Sequence, residues 1–377
     1  MKILLVRLRL IGDVVFTTPI LRALRLRYPD AHISYLVERL AEPVVRDNPH
    51  LSAVILAERR PGLARLRDDV ALARRLRRER FDLVIDLHGG PRAGWLTLAT
   101  GAPMRIGYTI PGRAWMYTHV VQRAPDLTPR HSVVNQWDLL APLGIGACHP
   151  AREPVEMAIS AEAEARVARR LARHGITASH ALVVVHVSAG NPFRRWPAES
   201  FATMIAELAR HHPERRFMVV SGPSDAVAAR AVADAAQHAL GPAEAGHSTS
   251  RSVRLQADRA VVHGEFGVDE LRALAGRAAV YIGGDSGPLH IAATTTTPIV
   301  ALFGPTLAER SMPWRDRHWF AEAIEPGALP CRPCHQRHCV PGDFRCLTGI
   351  TPDRVVAAAE RALAVSTGTA ERRSLKA

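Results

Sequence analysis

The chain has no apolar run near the ~20 residues that a membrane-crossing helix requires, and no stretch recurs at the period of a solenoid. Aromatic residues supply only 5% of it. No basic–aromatic stacking motif or recognition helix accompanies its charge, which argues against nucleic acid as a partner. Lysine is almost missing: Lys2 and Lys376 are the only two, so a formal charge of +13 is nearly all arginine. Such a surface attracts anions, from nucleotides and phosphorylated glycolipids to acidic bilayers. Arg7, Arg9 and Asp13 interrupt the N-terminal apolar stretch, and no small-residue cleavage site follows. It does not read as a secretory signal, and the expected location is cytoplasmic.

What is present is a globular composition, 47% hydrophobic over 377 residues. That length suits two domains of about 150–200 residues. Apolar runs alternate with helical patterns: Lys2–Val6, His32–Val37, Ala53–Leu56 and Leu83–Leu87 read as strands. Val14–Arg27, a short piece at Ala41–Arg46 and the strongly basic Leu63–Arg80 read as helices. The pattern restarts with helix Ala161–His174 and strands Ala181–Val187, Phe217–Ser221, Ala279–Ile282 and Ile299–Phe303. Helices Ala198–His211, Ala226–Ala239 and Pro288–Thr294 separate those strands. Strands alternating with helices imply parallel sheets covered on both faces, hence an α/β class with two doubly wound domains facing each other. The expected boundaries are 1–155 and 156–350, then a closing helix over 351–365 that packs back on the first domain, and a flexible tail at 366–377. Polar, aperiodic 241–257 reads as an exposed insertion.

Ligands of such sheets sit beyond the carboxyl ends of the strands, and three stretches there carry chemistry. In YIGGDSGPLH (Tyr281–His290), a strand ends in glycines and a helix begins near Pro288. Asp285 or Ser286 can cap it, Gly287 leaves backbone N–H groups accessible, and His290 lies one turn inside; this suits a phosphate. In VHVSAGNPFRRWP (Val185–Pro197), a polar loop with Ser188 delivers Arg194 and Arg195. An arginine's planar fork binds two diphosphate oxygens at once. In LLVRLRLIGDVVF (Leu4–Phe16), Gly12 lets the chain turn and Asp13 stands at a helix start, either as a cap or as a general base.

These stretches, taken with GDVVFTTP, RRWP, DSGPLH and FGPT (Phe303–Thr306) in that order, resemble the lipopolysaccharide heptosyltransferases, glycosyltransferase family 9. The resemblance runs from Met1 to about residue 365. It implies a GT-B fold of two Rossmann-like domains, the acceptor on the first and the nucleotide-sugar on the second. It implies inverting transfer of a heptose from ADP-heptose to the lipopolysaccharide inner core. On this likeness Asp13 is the base, and Ser188, Arg194, Arg195, Asp285, Ser286, Gly287 and His290 bind the donor. Arg194 stands where the family usually has lysine. The alternative is a transferase of the same family using another nucleotide-sugar or a protein acceptor.

No Asp-X-Asp pair is present, so fixed positive charge replaces a divalent metal on the diphosphate and no cofactor is required for transfer. Gly12, Asp86, His88, Arg92 and Arg105 are the acceptor-binding candidates; for Arg92 and Arg105 structural pairing is the competing reading. Cys331, Cys334, Cys339 and Cys346 have the count of a four-thiolate site but not a zinc-finger spacing. Two readings stay open for them, a structural metal or reduced thiols packing a loop. The basic helix over 63–80 suits a peripheral contact with an acidic inner-membrane surface, or is simply a solvated face.

Overall fold

Six short parallel strands, β1 (Lys2–Val6), β2 (His32–Val37), β3 (Ala53–Leu56), β4 (Leu83–Asp86), β5 (Met104–Tyr108) and β6 (His119–Val121), form one sheet in the order β3-β2-β1-β4-β5-β6. Six more, β7 (Ala181–His186), β8 (Arg215–Ser221), β9 (Val261–Glu265), β10 (Val280–Gly284), β11 (Ile299–Leu302) and β12 (Ala321–Ile324), form a second in the order β9-β8-β7-β10-β11-β12. Both sheets therefore have the same doubly wound order. The computed structural model describes residues 1–58, 60–125, 127–222, 225–241 and 260–374. The expected insertion at 241–257 lies, apart from Gly241, outside them.

The strands are continuous apolar runs because helices bury both of their faces. In the first unit Leu4, Val6, Leu36 and Val84 share a core with Leu76 and Leu96 from the flanking helices. In the second, Val183, Val185, Val219, Ile282 and Val300 pack with Phe201, Ala233 and Val355. Burying each large aliphatic side chain contributes about 1.5–3 kcal/mol. Local signals agree with the packing in helix Ala161–Arg173: the Ser160 hydroxyl accepts from Ala163 N–H, acids occupy the first turn and arginines the last.

The chain divides into two compact units, Met1–Ala158 with Trp314–Asp316, and Ile159–Pro313 with Arg317–Ala377. Trp314 joins the first because its indole N–H donates to Glu153 O (2.8 Å) and its ring packs on His131. The closing helix runs Pro352–Ser374, longer than expected, so the segment read as a tail begins as helix. Its Val355, Val356, Ala359 and Ala362 enter the core of the second unit.

Local differences have chemical causes. The single helix expected at Val14–Arg27 is two, Ile11–Val15 and Thr18–Arg27. Pro19 has no N–H for the carbonyl of Val15, which the Thr18 hydroxyl takes instead (2.8 Å); the Thr17 hydroxyl likewise takes Val14 O (2.6 Å). Helices Pro91–Ala99 and Val268–Arg277 and strands β5, β6, β9 and β12 were not anticipated.

Two buried imidazoles couple the fold to pH. Burial pushes His186 at the end of β7 down to about 4; burial, with Arg7 and Arg9, does the same to His88. The unfolded chain then binds more protons than the folded one between about 4 and 6.5, so stability is full above 6.5 and is lost as pH falls through that window. Thermal denaturation should show a lower midpoint at pH 5 than at pH 7, and His186→Gln should shrink the gap. A gap unchanged by that substitution would discount His186.

Candidate active site

In each sheet the chain reverses direction at the pair of central strands, β1 and β4 in the first and β7 and β10 in the second. The loops leaving those strands meet at the carboxyl edge and define a ligand-binding corner.

In the first unit, Arg7 follows β1 directly. Its guanidinium donates to Leu87 O (2.6 Å) beyond β4 and forms an ion pair with Asp13 Oδ2. Asp13 is the third residue of helix Ile11–Val15 and caps nothing: the N-cap is Leu10, with no side-chain capping bond. The capping alternative is thereby removed, and Arg7 is what fixes the carboxylate, one third exposed. Gly12 is buried and helical, so the turn is completed before it. Arg7 was missed as a site residue; its only signal was a charge immediately after an apolar strand.

The acceptor candidates separate once placed. His88 lies in the field of Arg7, Arg9 and Asp13 and, held down at about 4, is neutral near pH 7. Asp86 is wholly buried: Oδ1 accepts from the N–H groups of His88 and Gly89 (2.9 Å each) and Oδ2 from the Tyr117 hydroxyl (2.6 Å). Burial raises its pKa against the pull of those bonds. It shapes the 86–89 turn and has no surface to offer a ligand, which corrects its reading as an acceptor contact. Arg92 pairs with Asp69 (2.6 Å) and Glu38 (3.0 Å) and donates to Glu58 O. Arg105 donates to the carbonyls of Ala102 (2.6 Å) and Met116 (2.9 Å). Both arginines are tied into the first unit's own structure, as the structural-pairing reading expects. Arg92→Ala, which takes one guanidinium from both Asp69 and Glu38, should lower stability by about 2 kcal/mol. Chemical denaturation measures that loss, and turnover per folded molecule should hold.

In the second unit, the loop after β7 carries Ser188, whose hydroxyl donates to buried Asp225. Arg195 pairs with the same carboxylate (3.0 Å) and donates to Ala189 O (2.9 Å). Arg194 ends a 3₁₀ turn, Pro192–Arg194, in which Asn191 Oδ1 accepts from Phe193 N–H (3.0 Å). It pairs with Asp285 Oδ2 (3.0 Å) and donates from Nε to Gln336 Oε1 (2.5 Å). The two arginines are 32% and 38% exposed, their carboxylates 3% and 8%. Each guanidinium is thus anchored from behind, while Arg194 Nη2 and Arg195 Nη1 make no bond among the described residues.

The loop after β10 packs tightly on that of β7: a Cβ on Gly284 would stand 3.1 Å from the carbonyl oxygen of Arg194. Burial alone would raise the pKa of Asp285, but His290, Arg194 and Thr306 outweigh it and hold it at about 2. His290 is itself buried, with Nε2 3.6 Å from Asp285 Oδ1, so it answers that carboxylate instead of opening outward as a phosphate donor. Ser286 precedes helix Gly287–Ala293, and its buried hydroxyl oxygen has no hydrogen-bond partner among the described residues. Asp225 and Gln336 were not anticipated; a lone acid before an alanine-rich helix and a glutamine among cysteines carry no local mark.

The four C-terminal cysteines line an apolar cavity of about 440 Å³ with Phe193, His338 and Phe344. Burial, then the neighbouring cysteines, push the Cys346 thiol up to about 11. Among the described residues no group of three or more His, Cys, Asp or Glu is placed to hold a metal. Cys331, Cys334, Cys339 and Cys346 are free thiols on that cavity wall, and the structural-metal reading gains no support among the described residues.

The sequence pattern of glycosyltransferase family 9 (heptosyltransferase) matches residues 70–343, most of the chain. The chain belongs to glycosyltransferase family 9. Lipopolysaccharide heptosyltransferase 3 of Escherichia coli K12 is 28% identical over 371 residues, covering 96% of this chain and 98% of that one. A family 9 glycosyl transferase from Veillonella parvula superposes with a TM-score of 0.79 at 23% identity, over 96% of this chain and 97% of that one. The E. coli ADP-heptose heptosyltransferase II does so at 0.72 and 19%, over 96% and 98%. The fold of this family 9 glycosyltransferase is accordingly GT-B. No helix among its described residues is long and apolar enough to cross a membrane.

Proposed function

We propose that this family 9 chain transfers a heptose from ADP-heptose to the inner core of lipopolysaccharide, with inversion at the anomeric carbon and no metal requirement. The likeness to a lipopolysaccharide heptosyltransferase over nearly its whole length supports the substrate class. The observation that carries the reading is the pair of arginines after β7, each tethered to a buried acid and each with one Nη group left for an anion. Preorganised donors of this kind stabilise the negative charge that grows on a departing diphosphate. Ser286 and Gly287 complete the diphosphate contacts, while Ser188, Asp285 and His290 hold the loops in position.

On the first unit, Asp13 accepts the proton of the acceptor hydroxyl as that oxygen bonds to the anomeric carbon and the bond to ADP breaks. Arg7 aims Asp13, and Gly12 and neutral His88 border the acceptor. The acceptor is a membrane glycolipid, so the enzyme works from the cytoplasmic side in peripheral contact with an acidic bilayer. The test offers ADP-heptose, UDP-glucose and UDP-N-acetylglucosamine, with inner-core acceptor and a chelator present, and measures nucleotide release. ADP should appear from ADP-heptose alone; faster release of UDP would overturn the donor assignment.

A further inference from the structure

The amino edge of the first sheet, opposite the corner that holds Asp13, carries a cleft of about 680 Å³. Phe81–Asp82 and Thr100–Pro103, the residues just before β4 and β5, form its floor. Arg74, Arg77, Arg78 and Arg80, from the end of helix Leu63–Glu79, form its wall. All four arginines are exposed, and none has a carboxylate partner among the described residues. This is unlike the rest of the neighbourhood, where Arg60 pairs with Asp68 and Arg92 with Asp69. The nearby acids are spent on Lys2: Glu79 takes its ammonium (3.3 Å) and Asp82 its backbone N–H (2.7 Å).

The backbone makes room for this concentration of charge. Gly101 has φ +65, a conformation that favours glycine, and its missing Cβ leaves the space in which Arg77 Nη1 lies. Arg67 and Arg75, also exposed and with no carboxylate partner among the described residues, extend the arginines along the same helix. From Arg67 to Arg80 the row spans roughly 20 Å, several phosphate groups in length. Phe81 in the floor of the cleft is buried, 3% exposed, so it presents no ring face on which a base could stack.

We infer that this row and cleft form a docking surface for the phosphate headgroups of an acidic bilayer. The choice of partner rests on the proposed membrane-anchored acceptor, and the charge pattern stands without it. A polybasic surface of this size binds anionic lipid through summed charge, weakened by salt.

The test is co-sedimentation of the full chain with vesicles of 30% phosphatidylglycerol in phosphatidylcholine, against pure phosphatidylcholine. Binding should require the anionic lipid and fall as salt rises. Replacing Arg74, Arg77, Arg78 and Arg80 together by Gln should weaken it at least tenfold. Replacing the same four by Lys should retain it, because a bilayer reads charge and not the guanidinium fork. A control losing the same charge from the second unit, Arg169, Arg173, Arg277 and Arg354 to Gln, should bind as the unaltered chain does. Equal loss in both Gln variants, or indifference to the anionic lipid, would overturn the proposal. So would tight binding of inorganic pyrophosphate that the Lys variant loses, which would mark a soluble phosphate compound as the occupant. Turnover on a detergent-free, delipidated acceptor should not change in the Gln variant, so failure of the transferase reading shows in that assay and not in the vesicle binding.

Discussion

Replacing Asp13 by Asn should lower turnover by about two to four orders of magnitude, the range a positioned general base contributes, while ADP binds as before. The substitution is nearly isosteric, and an amide oxygen can still accept from Arg7, so the corner between β1 and β4 keeps its shape. What is lost is the ability to take a proton from the acceptor hydroxyl. The donor contacts lie on another unit of the chain, among Arg194, Arg195 and their acids. Steady-state nucleotide release gives the rate, and calorimetric titration with ADP gives the affinity. Turnover within tenfold of the unaltered enzyme would remove Asp13 from the role. Equal losses of turnover and ADP affinity would point to a disturbed fold instead.

That this corner could be found at all reflects what a sequence records locally. The central strands are legible because a parallel strand buried on both faces must be apolar throughout, as in Ala181–His186. Residues at the ends of such strands can be placed without knowing their partners, which is how Asp13, Arg194, Arg195 and Asp285 become candidates. β6 (His119–Val121) is short and largely exposed, so it leaves no such trace. Roles that depend on partners distant in sequence were not legible. Asp225 meets Ser188 across 37 positions, and Gln336 meets Arg194 across 142.

The same limit produced the misplaced acceptor contacts. In DLHGGPR, Asp86 and Arg92 look like loop residues at a strand end. Pro91 instead begins a helix packed against helix Leu63–Glu79, which brings Arg92 to Asp69. Asp86 turns inward to staple the loop's own amides. A polar residue at a strand's end therefore marks the neighbourhood of a site, and only its partners decide whether it faces the ligand.

Arg194→Ala should weaken ADP binding by about 10- to 100-fold, the worth of a charge-assisted contact to a diphosphate oxygen. Two losses combine in that figure: the free Nη2 donor itself, and the tether through which Asp285 and Gln336 set the loop. The fold should survive, because His290 still faces the stranded Asp285 carboxylate. Asp285 has a folded-state pKa of about 2, below its ordinary value of 3.8, so the stability it contributes is present above about 4 and lost as pH falls toward 2. Taking away Arg194 removes one of the groups holding that pKa down, so in the variant this acid-induced loss should be smaller and complete at a higher pH. Arg194→Lys, the residue usual in the family, should retain most of the affinity, since an ammonium keeps the charge while losing the bond to Gln336. Titration of the three proteins with ADP separates these effects. An unchanged dissociation constant in Arg194→Ala would move the diphosphate contact to Arg195, whose free Nη1 and anchoring acid make it the remaining guanidinium on this loop able to serve.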